Sequence, residues 1–326
     1  MDSPDLRAEL RADLERVNAL MTGSLESDID LLNRTNRALL ARRGKQLRPL
    51  LTLLTARTCG GGRCNEDTIR FAAASELLHN ATLLHDDVAD DSTQRRGAPT
   101  VMSLLGSRAS VLLGDFWLVK AVARVLDADC AADRVIRIFA GTLSDLAEGE
   151  MLQLQKASSA DTTEADYLRI IYSKTASLFV AAALSAAISV HATPAQEKAV
   201  RCFAENLGIA FQIRDDLLDY EEDAEIGKPV GQDLQEQKIT MPLLGALRAL
   251  PQEEARIRSL VAGMTDHPEN RGMLVKFVQD GDGRSYARRR LEEYVEAAVA
   301  ALGTLPPGRD RDALEAMARF VGDRKL

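Results

Sequence analysis

The chain has 326 residues, 46% of them hydrophobic and 28% charged, and its 41 Lys and Arg against 49 Asp and Glu leave a formal net charge of −8. That length holds one large domain or two medium ones, each able to bury a substantial core. The acidic balance argues against a nucleic-acid binder, which needs a basic stripe to replace phosphate counterions, and 21 Gly and 10 Pro are too few for collagen-like repeats or extensive disorder.

Met1 to Leu10 are polar and acidic and lack the apolar stretch of a secretory signal. The expected location is therefore the cytoplasm. Ser3 as N-cap and Pro4 at the first helical position open a helix striped by Leu6, Leu10, Leu14, Val17 and Met21. Gly44-Lys45-Gln46-Leu47-Arg48-Pro49 places a Lys and an Arg before the helix that runs to the Gly60 to Gly62 break. Asn65 with Glu66 and Asp67 opens a long apolar-striped helix through Ile69, Ala73, Leu77, Ala81, Leu84 and Val88. Further helices are predicted over about 109–126, 134–155, 164–191, 194–220 and 239–250, with shorter ones to the C-terminus. No run shows period-two alternation, so strands are expected to be few or absent and the fold all-α. One domain over 1–326 is expected, because the informative motifs of both halves serve one site.

The longest stretch without Asp, Glu, Lys or Arg runs from Thr175 to Gln196, but Ser, Thr, His and Pro interrupt it. A buried core helix fits it better than a membrane span. Cys59, Cys64, Cys130 and Cys202 are scattered and complete no zinc site, so free thiols are expected.

Two clusters carry chemistry. His85-Asp86-Asp87-Val88-Ala89-Asp90-Asp91 and Arg214-Asp215-Asp216-Leu217-Leu218-Asp219-Tyr220 both contain Asp-Asp-x-x-Asp at the end of an apolar helix. On a helix, residues i and i+4 share a face with Cβ atoms about 5–6 Å apart, so Asp86 pairs with Asp90 and Asp215 with Asp219. A helix C-terminus disfavours each carboxylate by about 0.3–1 kcal/mol, and neighbouring carboxylates repel. A bound cation reverses both effects, and oxygen-only ligands suit Mg²⁺ with phosphate and water in its remaining positions. A solvated acidic surface explains one such cluster well and two matched ones poorly. Lys45, Arg48, Arg95, Arg96, Lys174, Lys228 and Lys238 recur beside these motifs. They suggest a divided site, with metal holding one diphosphate and Arg and Lys another.

From Gly44 to Leu244 the ordered motifs resemble those of the trans-polyprenyl diphosphate synthases, which condense an allylic diphosphate with isopentenyl diphosphate. The resemblance rests on Gly44-Lys45-x-x-Arg48-Pro49, Leu83-Leu84-His85-Asp86-Asp87-x-x-Asp90, Arg95-Arg96-Gly97, Glu148-Gly149-Glu150 with Gln153, and Ser173-Lys174-Thr175. It continues through Phe211-Gln212-x-x-Asp215-Asp216-x-x-Asp219 and Gly227-Lys228-x-x-Gly231-x-Asp233-Leu234-x-Glu236-x-Lys238-x-Thr240-x-Pro242-Leu243. It implies a single-domain helical bundle around a deep apolar cavity, a homodimer, and three Mg²⁺ ions with substrate bound. Asp86, Asp90 and Asp215 are then metal ligands, and Asp87, Asp216 and Asp219 complete or support the clusters. Arg95, Lys174, Gln212, Lys228 and Lys238 are implied contacts of the allylic diphosphate, and Lys45, Arg48, His79 and Arg96 of the isopentenyl diphosphate. His79 alone on an apolar helix is as readily a core residue. Thr175 is either a phosphate contact or a helix residue bonding its own backbone. Glu150 and Gln153 line the metal pocket or form a plain polar face.

Short-chain relatives carry bulky residues one turn before the first acid cluster, where this chain has Ala81 and Thr82. A growing prenyl tail then passes toward Phe139, and the implied product is about octaprenyl, suited to a quinone side chain, with transient membrane contact at product release. The competing functions are a short-chain farnesyl or geranylgeranyl diphosphate synthase, a terpene cyclase, which lacks the second Asp-Asp-x-x-Asp, and a non-catalytic regulatory subunit.

Overall fold

The computed structural model of the chain describes residues 10–42, 44–95, 97–221 and 230–323. The expected N-cap Ser3 and Pro4 lie outside them. The described residues are overwhelmingly helical, with one two-residue antiparallel ladder that pairs Gln94 with Pro99 and Arg95 with Ala98. Contacts group the chain into two compact units, taken in turn.

The first unit comprises 10–140, 181–200 and 304–314. It contains α1 (Arg11–Ser24), α2 (Asp30–Leu40), α3 (Leu47–Cys59) and α4 (Glu66–Ala89), then the ladder strands β1 (Gln94–Arg95) and β2 (Ala98–Pro99). Next come α5 (Val101–Leu105), α6 (Ser107–Leu126) and the start of α7 (Ala132–Ser159). The α4 helix is buried around most of its circumference, with Phe71, Ala73, Leu77, Leu78 and Ala81 all in the core. A helix of that composition belongs in a core. Its start is fixed by a capping box: Asn65 Oδ1 accepts the Thr68 N–H at 2.8 Å, and the Asn65 N–H donates to the Thr68 hydroxyl at 3.3 Å. α6 packs along α4. Trp117 on α6 is buried and satisfies its indole N–H on Asn36 Oδ1 at 2.9 Å. Burying a side chain that large contributes several kcal/mol, and the polar partner removes the penalty for its N–H.

The second unit comprises 141–180, 201–303 and 315–323 among the described residues. It takes the rest of α7, then α8 (Glu164–Ile171), a π turn (Tyr172–Ala176) and α9 (Ser177–Ser189). It continues with α10 (Pro194–Leu218), α11 (Gln232–Gln235), α12 (Met241–Ala249), α13 (Glu254–Ala262), α14 (Asn270–Asp280), α15 (Gly283–Ala301) and α16 (Arg309–Asp323), some of which begin or end in the first unit. Glu164–Ser189 forms one helical run long and apolar enough to cross a membrane, yet 89% of its most apolar stretch is buried in the protein. It is a core helix, as its interrupting polar residues led one to expect. It departs from the expectation in the π turn, where one extra residue is inserted into the helical ladder.

Candidate active site

In the first unit the acid cluster terminates α4. Asp86 and Asp87 occupy the last turn and Asp90 follows it, its N–H donating to the Asp86 carbonyl at 2.8 Å. The one-turn relation between Asp86 and Asp90 therefore survives the helix end. Asp87 is buried, and its Oδ1 accepts from Arg95 Nε at 2.7 Å. The intervening loop is folded back by Ser92 N–H on the Asp87 carbonyl at 2.9 Å and by the Thr100 hydroxyl on the Ser92 carbonyl at 2.7 Å. Arg95 is thereby held on the cluster itself. Arg96 lies outside the described residues.

α6 sets the end of α4. The Ser110 hydroxyl donates to the Leu84 carbonyl at 2.8 Å, and the His85 ring lies so close to Gly114 that a Cβ there would come within 2.3 Å of Nε2. His85 Nε2 stands 3.2 Å from Asp115 Oδ1. Two turns before Asp86, His79 is half-buried, and its carbonyl accepts the Thr82 hydroxyl at 2.8 Å. Ala81 and Phe139 are both buried. At the start of α3, Gln46 adopts a left-handed backbone (φ 50°) and its amide donates to Asn18 Oδ1 at 2.9 Å, leaving Lys45 exposed and Arg48 buried.

In the second unit Asp215 and Asp216 lie in the last turn of α10, and the Asp219 N–H bonds the Asp215 carbonyl at 3.3 Å. The Asp219 carboxylate accepts the N–H groups of Gln232 (3.0 Å) and Asp233 (3.1 Å), so it caps α11. Lys228, in the segment between them, lies outside the described residues. Asp216 is buried with both oxygens engaged: the Tyr167 hydroxyl donates to Oδ2 at 2.6 Å and Gln212 Nε2 to Oδ1 at 2.9 Å. Gln212 Oε1 in turn accepts the Thr175 hydroxyl at 2.8 Å. Burial, and then the charge of Asp233, push the Asp216 carboxyl up to about 8.

Lys174 projects from the π turn to α7, with Nζ 2.5 Å from Glu150 Oε2 and 3.0 Å from Gln153 Oε1. Lys238 is ion-paired to Glu236. Lys174, Thr175, Gln212, Asp216, Asp233 and Lys238 together line a cavity of about 130 Å³. Gln153 lines it too, so six of the residues expected in the site of this unit converge. Sequence reasoning missed Tyr167, quoted Asp233 in a motif without giving it a role, and missed the pairing of Lys174 with Glu150 and Gln153. The Thr163-x-x-Asp166 capping pattern, which starts α8, was the available signal for Tyr167 on that helix's first turn.

The donor set fits Mg²⁺. Each cluster is all oxygen, the donor chemistry that a hard divalent cation takes. Mg²⁺ requires only one or two carboxylates, with water and phosphate oxygens completing its octahedron.

The polyprenyl synthetase family profile matches residues 29–278. Octaprenyl diphosphate synthase of Escherichia coli strain K12 is 38% identical over 96% of each chain. The all-trans-nonaprenyl-diphosphate synthase (geranyl-diphosphate specific) of Rhodobacter capsulatus is 36% identical over 98% of this chain and 97% of its own. Among solved structures, a polyprenyl synthase from Caulobacter crescentus CB15 complexed with calcium and isoprenyl diphosphate superposes with a TM-score of 0.90 at 35% identity, covering 98% of this chain and 97% of that one. With acid-ended helices in an all-α framework and relatives of this similarity over nearly its whole length, the chain belongs to the polyprenyl synthetase family and is a prenyltransferase enzyme.

Proposed function

We propose that the enzyme is a long-chain all-trans polyprenyl diphosphate synthase that adds successive isopentenyl units to an allylic diphosphate up to about octaprenyl length. The observation that carries the reading is the duplication of the acid-ended helix, once at Asp86–Asp90 and once at Asp215–Asp219. Both clusters serve one reaction in one catalytic domain. Bound Mg²⁺, three ions with substrate present, supplies Lewis-acid neutralisation of the departing diphosphate. Asp86, Asp90 and Asp215 are its ligands; Asp87, Asp216 and Asp219 hold the clusters in shape. Lys174, Arg95, Gln212, Lys228 and Lys238 bind the allylic diphosphate, and Lys174 has a fixed position because Glu150 and Gln153 hold it. Lys45, Arg48, His79 and Arg96 bind isopentenyl diphosphate. The allylic C–O bond breaks with its electron pair leaving on the diphosphate, and the isopentenyl double bond attacks the resulting cation. A proton then passes to the released diphosphate, which gives an allylic product one unit longer.

Four features support the remaining assignments. The names of the octaprenyl and nonaprenyl relatives favour a long product, which suits a quinone side chain, and so does a small, buried Ala81 beside Thr82. The relative with calcium and isoprenyl diphosphate favours divalent-metal chemistry. Leu112, Val119 and Leu126 repeat every seventh residue on α6, each more than half exposed, and favour burial against a second copy in a cytoplasmic homodimer with transient membrane contact at product release.

The test is incubation with Mg²⁺, isopentenyl diphosphate and alternative allylic primers, with products resolved by chain length. Wild type is expected to reach about octaprenyl. Ala81→Phe is expected to stop in the farnesyl to geranylgeranyl range while retaining the first condensation. An unchanged long product from an active Ala81→Phe enzyme contradicts passage of the tail past Ala81 toward Phe139. A wild-type product that stops at farnesyl or geranylgeranyl supports the short-chain reading.

A further inference from the structure

We propose that Tyr167 is a positioning residue for the second acid cluster: with the Thr175–Gln212 pair it clamps both oxygens of Asp216 to one helical run, and so fixes Asp215 and Lys174 for the diphosphate. The proposal rests on the reading above and adds to it a residue outside every motif by which the chain was recognised. Its basis is geometric. Tyr167 and Asp216 are each 3% exposed, and the Tyr167 hydroxyl donates to Asp216 Oδ2 at 2.6 Å. The other oxygen is reached through Gln212, itself oriented by the Thr175 hydroxyl at 2.8 Å.

Tyr167 and Thr175 stand at the two ends of a run of about two turns, α8 with the π turn, and Lys174 adjoins Thr175. One rigid element therefore grips the end of α10 at two points and presents the lysine from the same piece of backbone. A single hydrogen bond would fix a distance. Two, on the two oxygens of one carboxylate, also fix its rotation. With its oxygens occupied, Asp216 acts as the anchor of the cluster, which leaves the neighbouring Asp215 as the ligand. A tyrosine that only filled space would need no partner for its hydroxyl other than some polar group. Here that group belongs to the acid cluster.

The experiment measures binding of inorganic diphosphate in excess Mg²⁺ by titration calorimetry, for wild type, Tyr167→Phe, Asp216→Asn and the double variant, alongside steady-state kinetics. Tyr167→Phe is expected to weaken diphosphate binding about tenfold, as loss of a buried hydrogen bond implies. It should raise KM for the allylic substrate in parallel and leave KM for isopentenyl diphosphate within about twofold. The double variant should bind about as weakly as Asp216→Asn alone, because the hydroxyl acts through that carboxylate. Wild-type affinity in folded Tyr167→Phe overturns the proposal, as do losses that multiply in the double variant or equal KM effects on both substrates. If Tyr167→Phe fails to fold, Tyr167→Met removes the same hydroxyl with a flexible apolar replacement and undergoes the same comparison. Should wild type fail to condense any allylic diphosphate, the functional reading falls, while the calorimetry still reads the clamp.

Discussion

Asp87 stands beside Asp86, identical in type, and its own surroundings suit it to hold the cluster in shape. Asp87 turns into the protein, where its side chain is 6% exposed and paired with Arg95, whose own side chain is 35% exposed. A carboxylate so placed depends on its guanidinium, although solvent at the arginine screens part of the attraction. Arg95→Ala is therefore expected to cost about 1–3 kcal/mol of stability through loss of a charge-assisted hydrogen bond. Asp87→Asn added to Arg95→Ala should recover most of that stability without restoring turnover of the allylic substrate. Denaturant unfolding beside kinetics reads both quantities. A double variant as unstable as Arg95→Ala contradicts the pairing as the source of the loss.

At the scale of elements, the helix that carries Lys174 depends on its cap and on its neighbours. Its N-terminus is closed by a capping box in which the Thr163 hydroxyl donates to Asp166 Oδ2 at 2.7 Å and accepts the Asp166 N–H at 3.1 Å. The Thr163 hydroxyl, and with it the Thr163 N–H and Lys156, holds the Asp166 carboxyl down at about 2, below its ordinary 3.8. A depressed native pKa contributes stability that is complete above about pH 4 and is lost as pH falls toward 2. Thr163→Ala should cost about 1 kcal/mol at neutral pH and flatten the decline between pH 4 and 2. Unfolding midpoints measured across that range check it, and profiles that run parallel contradict it.

The π turn further along the same run needs room on two sides. A Cβ on Gly208 of α10 would lie 2.5 Å from the Ala176 Cα, and one on Gly149 of α7 would lie 2.6 Å from the Ser173 Cβ. Gly208→Ala forces the turn to move, at about 1–3 kcal/mol for overpacking. Because Lys174 rides on that turn, KM for the allylic substrate should rise severalfold with KM for isopentenyl diphosphate unchanged. Steady-state kinetics with each substrate varied decides between that and an equal loss on both.

These elements also show what the sequence made legible. The ends of α4 and α10 were readable because apolar periodicity stops at each Asp-rich cluster, and the Asn65 cap was readable because its residue types stand at capping spacing. The π turn at Tyr172–Ala176 was hidden, since one inserted residue leaves no mark of its own in the helical periodicity on either side. The roles of Tyr167 and Asp233 were hidden for a different reason, although Asp233 stands in a recognised motif. Their link to Asp216 is tertiary, made across 49 residues in the case of Tyr167, and no local pattern encodes it.

For the whole molecule, the formal charge of −8 sets the problem that the site must solve. An acidic protein binds two diphosphates only where cations gather, and on the proposed reading Lys and Arg side chains and metal held by the carboxylate clusters supply them. The helical class was legible throughout from periodicity, with the two-residue ladder at Gln94–Pro99 the one strand feature in the described residues. The central claim is that both acid clusters carry a metal-dependent condensation. The most direct test is the rate of isopentenyl incorporation into an allylic primer by wild type with Mg²⁺ and with excess chelator, and by Asp86→Ala and Asp215→Ala at unchanged helical content. The account predicts that chelation abolishes turnover and that each variant loses at least about two orders of magnitude, since a lost ligand costs several kcal/mol of charge stabilisation. Near-normal turnover by either folded variant, or by wild type in chelator, would contradict it.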